Sequence, residues 1–210
     1  MVIDPAVIKP AIESYNRIAL SASYHVSYHL PALYGMDSIW QFQENISGII
    51  VMGSAASVHD GHKWQDDITD LLLESFDKSI PVMGICYGHQ LLAHICGGRV
   101  GPLWNGKKEQ GQRKVSVMEN SLWGKARNGQ MIYSHQDGVT QCPDDFEITA
   151  VSDMVSVEGF VSKTKPIWGF QTHIEATQAF IDNHNISIAN QQETFAFGHQ
   201  ILDSFILSLA

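Results

Sequence analysis

The residues best arranged for chemistry lie in Pro81 to Gln90, P-V-M-G-I-C-Y-G-H-Q. An apolar strand, Ile80 to Ile85, runs straight into G-x-C-x-G, and Leu91, Leu92 and Ile95 mark a helical face from Gly88 to Cys96 beyond it. A nucleophile elbow has this pattern for a mechanical reason. The nucleophile sits in a tight turn between strand and helix, so the residues two before and two after it must be small; here they are Gly84 and Gly88. The turn lifts Cys86 to the carboxyl edge of a sheet, where open α/β folds bind ligands. The amides that begin the helix favour a thiolate and can hold an oxyanion, with the Tyr87 N–H as the obvious donor. The other two cysteines have no such setting. Cys96 falls on the apolar face of the short helix, and Cys142 precedes Pro143 in a polar loop. His59 and His62 form an isolated H-x-x-H, which on a loop reads as solvent-facing, and no metal site is expected.

An elbow needs elements to carry it, and the chain supplies them. Ile46 to Met52 reads as a buried strand ending at Gly53, and Trp64 to Phe76 as a helix packed on a sheet through Trp64, Ile68, Leu71, Leu72 and Phe76. Strand, helix, strand, helix in succession implies a mainly parallel sheet with helices on both faces. Short strands follow at Lys114 to Met118, Met131 to Ser134, Glu147 to Val151, Val155 to Val161 and Ile167 to Thr172, predicting a small antiparallel extension. A helix over Glu193 to Leu209 closes the chain. At the start, Val2-Ile3 is a strand stub, Ala11 to Ala22 a helix and Val26 to Leu30 a strand.

The whole is expected to be one α/β domain over residues 1–210. The net charge of −9 and the lack of a Lys/Arg run argue against a nucleic-acid partner. No stretch approaches the length of a membrane span and no signal-peptide core precedes Pro10, so no membrane partner and a cytoplasmic location are expected. Three unpaired cysteines fit the same compartment.

Four segments in order bring a family into view. G-I-C-Y-G-H-Q-L-L-A with G-G-R-V after it resembles the glutaminase core of class I glutamine amidotransferases, above all the domain that feeds GMP synthetase. Gly48 to Ser57 resembles that family's strand and oxyanion loop, Tyr133 to Val139 its loop around the substrate's α-amino and α-carboxylate groups, and Trp168 to Glu175 the strand with the catalytic His and Glu. The resemblance implies a flavodoxin-like fold and no cofactor. It implies hydrolysis of glutamine to glutamate and ammonia through a γ-glutamyl thioester on Cys86, with His173 as proton carrier and Glu175 orienting its ring from the same strand face. The Ser54 and Tyr87 N–H groups line the implied oxyanion hole. Gly53, Gly88, Gln90, Ser134, Gln136 and Asp137 surround the implied substrate, Asp137 matching an α-ammonium group by charge.

Three departures stand out. Gly53-Ser54-Ala55 replaces the family's G-G-P, His173-Ile174-Glu175 its H-P-E, and the first strand is cut to Val2-Ile3 before a proline. No P-loop or ATP-pyrophosphatase signature occurs in the chain. The expectation is therefore either a subunit that passes ammonia to a separate synthetase or a free-standing hydrolase. Two alternatives keep the fold: a γ-glutamyl peptidase or hydrolase, and a catalytically weak regulatory binding protein.

Overall fold

The computed structural model describes residues 1–210, with Gln43 described through its backbone alone. The first half runs β1 (Val2–Ile3), α1 (Ile12–Ser21), β2 (Tyr28–His29), α2 (Pro31–Tyr34), α3 (Asp37–Trp40), β3 (Ile49–Val51), α4 (Lys63–Asp77), β4 (Val82–Ile85) and α5 (Tyr87–Ile95). It continues with β5 (Arg99–Pro102), β6 (Glu109–Val117), β7 (Arg127–His135), β8 (Asp137–Gln141) and β9 (Phe146–Val151). The last elements are β10 (Gly159–Ser162), β11 (Ile167–Phe170), α6 (Gln178–Asn183) and α7 (Gln191–Ser208).

Nine strands form one sheet in the order β2-β1-β3-β4-β11-β10-β9-β6-β7, and β5 pairs with β8 in a separate antiparallel ribbon. The five strands from β2 to β11 are parallel; from β11 outward the pairing turns antiparallel. This is the expected α/β sheet, with the antiparallel extension continuing it edge to edge.

Period-two alternation along the strands feeds two cores. Ile49, Val51 and Val82 face Ile68, Leu71 and Leu72 of α4 and Leu91 and Leu92 of α5. Their neighbours Ile50, Met83 and Ile85 face the opposite way, onto Ile18 of α1 and Ile201, Leu202, Phe205 and Ile206 of α7. Helices thus cover both faces. No helix of the described residues is long and apolar enough to cross a membrane.

Several expected boundaries move. The strand placed at Val155 to Val161 is β10, Gly159–Ser162, and the expected short strand Met131 to Ser134 is part of the nine-residue β7, the second arm of a hairpin with β6. The short first strand is real: Val2 and Ile3 pair on one side with β2 and on the other with β3.

Candidate active site

Four adjacent parallel strands, β1, β3, β4 and β11, end at the same edge of the sheet, and each delivers side chains to one place. Asp4 follows β1, Gly53 and Ser54 follow β3, Cys86 follows β4, and Gln171 and His173 follow β11. They open into a cavity of about 830 Å³.

Cys86 carries φ +52° and ψ −100°, a conformation that L residues adopt only when held there. Its N–H donates to the Phe170 carbonyl at 2.8 Å, clamping the turn to β11. The two glycines of the motif permit the close approach beneath it. A Cβ on Gly84 would lie 2.5 Å from the Gly88 carbonyl, and one on Gly88 would lie 2.2 Å from the Val51 carbonyl oxygen. Gly88 therefore packs α5 onto β3 and does not line the cavity. Tyr87 is fully buried, its hydroxyl accepting from Gln65 Nε2 at 3.0 Å; its N–H belongs to the first turn of α5, where helix amides have no partner within the helix.

His173 lies beside the sulfur. A Cβ on Gly53 would sit 2.8 Å from His173 Cε1 and 3.6 Å from Cys86 Cβ, so only glycine fits between the ring and the Cys86 side chain. His173 Nδ1 bonds to Glu175 Oε1 at 2.9 Å. The pair does not form on a strand face as expected: β11 ends at Phe170, and His173 to Glu175 lie in the turn beyond it. The His173 N–H donates to the Ile132 carbonyl on β7 at 2.8 Å, which holds that turn in place. Burial opposes a charge on the His173 ring. The Glu175 carboxylate and the Cys86 sulfur outweigh it and push its pKa up to about 10.

Ser134, Gln136, Asp137 and Gln90 line the same cavity. Ser134 and Asp137 belong to β7 and β8, not to a free turn. The Asp137 carboxylate accepts from Ser57 Oγ at 3.1 Å, and Ser134 Oγ is a buried hydroxyl with no partner among the described residues. Behind them His135 bridges Arg113 Nη2 at 3.0 Å and the Asp137 carbonyl at 2.8 Å. Burial and then the neighbouring guanidinium push the His135 pKa down to about 3, so the ring is neutral. Ser54 has an additional tie: its hydroxyl donates to the Pro5 carbonyl at 2.7 Å and accepts from Ala56 N–H at 3.1 Å.

Two site residues escaped the sequence reading. Asp4 is fully buried and accepts from Ala11 N–H at 2.7 Å and Tyr28 Oη at 2.5 Å; burial raises its pKa. Gln171, also fully buried, directs its Nε2 at Cys86 Sγ over 3.7 Å. The signal available was position: each is a polar residue immediately after a strand that ends beside the elbow. His59 bonds through its ring to the Val100 carbonyl, and the His62 N–H donates to Gln65 Oε1 at the start of α4.

A parallel sheet that presents a cysteine elbow and a His–Glu pair at its carboxyl edge defines the class, an α/β protein with a hydrolase-type site. The family follows. The class-I glutamine amidotransferase model matches residues 12–189, and the chain belongs to that family. GMP synthase (glutamine-hydrolyzing) of Ligilactobacillus salivarius is 38% identical over 135 residues, 62% of this chain and 25% of that protein. The Streptococcus pneumoniae protein of the same name is 33% identical over 164 residues, 77% of this chain and 31% of its own length. The chain thus spans a quarter to a third of these relatives. The crystal structure of glutamine amido transferase from Methylobacillus flagellatus shares the fold with TM-score 0.77 at 17% identity, covering 99% of this chain and 92% of that one.

Proposed function

We propose that this protein hydrolyses the side-chain amide of glutamine and releases ammonia for an acceptor held by a separate synthetase. The observation that carries the reading is the buried His173, bonded through Nδ1 to Glu175 beside a sulfur perched on a strained elbow. An imidazolium beside the sulfur favours the thiolate. Cys86 attacks the amide carbon, and the resulting oxyanion is held by the Tyr87 and Ser54 N–H groups. His173 gives its proton to the departing ammonia, leaving a γ-glutamyl thioester. The neutral ring then takes a proton from water, which attacks the thioester and frees glutamate.

At the other end of the substrate, Asp137 takes the α-ammonium group, and Ser134 and Gln136 supply polar contacts. Gln90 acts from behind, because its Nε2 is already committed to the Asp137 carbonyl at 2.7 Å. The names of the curated relatives, glutamine-hydrolyzing GMP synthases, support the substrate and make a nucleotide synthetase the first partner to try.

The cavity favours one further reading. It continues past His173 to residues 6–14 and to Phe180, Asn183 and His184, leaving room for a leaving amine larger than ammonia. Steady-state glutamate release from glutamine and from a set of γ-glutamyl peptides separates the two. Slow glutamine turnover alone, accelerated by a synthetase, supports the amidotransferase. Fast peptide cleavage with negligible glutamine turnover replaces it with the hydrolase. Glutamine turnover of several per second by the protein alone removes the need for a partner.

A further inference from the structure

We propose that Gln171 is a further catalytic residue, an amide N–H donor to the Cys86 sulfur that stabilises its thiolate form. The inference rests on the reading of Cys86 as nucleophile and adds a second donor to it. Gln171 Nε2 lies 3.7 Å from Cys86 Sγ, and neither side chain has appreciable exposure to water. A buried anion with a single partner is poorly compensated, and sulfur accepts N–H bonds at longer range than oxygen.

Which end of the Gln171 amide faces the sulfur follows from a chain of one-way hydrogen bonds. A guanidinium can only donate, so Arg113, anchored on Glu158 Oε2 at 2.6 Å, makes His135 Nε2 an acceptor and Nδ1 the protonated nitrogen. A carbonyl can only accept, so the Asp137 oxygen takes His135 Nδ1–H at 2.8 Å and Gln90 Nε2 at 2.7 Å. That fixes the Gln90 amide. The same Nε2 faces Gln171 at 3.2 Å, which makes the facing atom Gln171 Oε1. Gln171 Nε2 is left pointing at the sulfur. The backbone reinforces the placement, with Gln171 N–H on the Glu158 carbonyl at 2.7 Å and Cys86 N–H on the Phe170 carbonyl at 2.8 Å.

The function of such a bond is readable without turnover. A hydrogen bond to a charged group is worth enough to displace a titration by about one pH unit. Stabilising a thiolate also lowers its intrinsic nucleophilicity, by about threefold for that displacement. Removing Gln171's N–H therefore has opposite effects at the two ends of a pH profile.

The experiment is the rate of Cys86 alkylation by iodoacetamide against pH, in the wild type and in Gln171→Met, which keeps volume and loses the donor. In the variant the half-maximal rate moves about one unit to higher pH. On the acid limb alkylation falls about threefold, while the alkaline plateau rises about threefold, so the two profiles cross. Gln171→Glu, with a carboxylate against the sulfur, moves the profile further in the same direction. Profiles that superimpose on the wild type, or that scale without crossing, overturn the proposal. Should both variants fail to fold, the Gln171 side-chain amide resonance of the wild type decides. It must titrate with the alkylation profile and cease to titrate in Cys86→Ser; an amide that ignores pH overturns the proposal. Failure of the underlying reading looks different: wild-type Cys86 would then alkylate no faster than Cys142.

Discussion

The cavity has two walls of unlike construction. The inner wall stands on the ends of β3, β4 and β11 and on the first turn of α5. Its side chains are buried and bonded to one another through Asp137, Gln90, Gln171 and the His173–Glu175 pair. The outer wall is the irregular stretch between β1 and α1 together with α6. Ile8 there is 81% exposed, and Lys9 Nζ crosses to Asn183 Oδ1 through a solvent-exposed 2.6 Å bond. Ser54 joins the walls, since its backbone belongs to the loop after β3 and its hydroxyl holds Pro5. The inner wall cannot shift without disturbing both cores, whereas the outer wall can.

The comparison breaks most sharply at His173. His173→Ala should lower kcat for glutamine by about 10⁴-fold or more, because members of such a triad act as a unit. A loss below tenfold, measured under saturating substrate, would mean that the inner wall is not the reacting one. Gly88→Ala comes next. The added methyl overlaps the Val51 carbonyl oxygen, so β3 or α5 must move, and a urea melt should show destabilisation of about 1–3 kcal/mol. An unchanged midpoint would show that the elbow has slack.

Ser54→Ala sharpens the comparison at the hinge between the walls. It removes the hydroxyl's bonds to the Pro5 carbonyl and from the Ala56 N–H, and kcat should fall by up to about tenfold with a change in melting temperature of only a few degrees. A rise in kcat would indicate that Pro5 restrains the loop instead of supporting it. The smallest effect belongs to Lys9→Ala. An exposed bond of this kind contributes at most about 1 kcal/mol, and kcat for glutamine should stay within about twofold. A change approaching that of His173→Ala would dissolve the distinction between the walls.

The same division governs what could be read from the sequence. The elbow was legible because strand, two glycines and helix lie within one short segment, and α4 matched its apolar spacing to within a residue at each end. The β5–β8 ribbon was not legible. R-V-G-P is too short and too rich in glycine and proline to signal a strand, and it pairs across a long separation in sequence, Val100 with Val139. The lengths of β6 and β7 were underread, since Glu109 to Gln112 alternates nothing apolar and gains its pairing only from the facing arm. Gln171 escaped for a related reason. Its role is defined by contacts with Cys86, 85 positions earlier, and Gln90, 81 earlier, and no local pattern around Gln171 announces either contact. His173 and Glu175 were found through the resemblance; their actual turn geometry could not be had from alternation along a strand.

The left-handed backbone at Cys86 has a bearing on how such proteins change over generations. A non-glycine residue held at φ +52° stores strain on the order of 1–3 kcal/mol, tolerated only while the sulfur is needed there. In a gene copy released from selection for turnover, Cys86→Gly relieves that strain at once, against a smaller loss from glycine's freedom when unfolded. Replacement of the cysteine therefore runs downhill in folding free energy at this position, so stability alone does not account for the retention of Cys86.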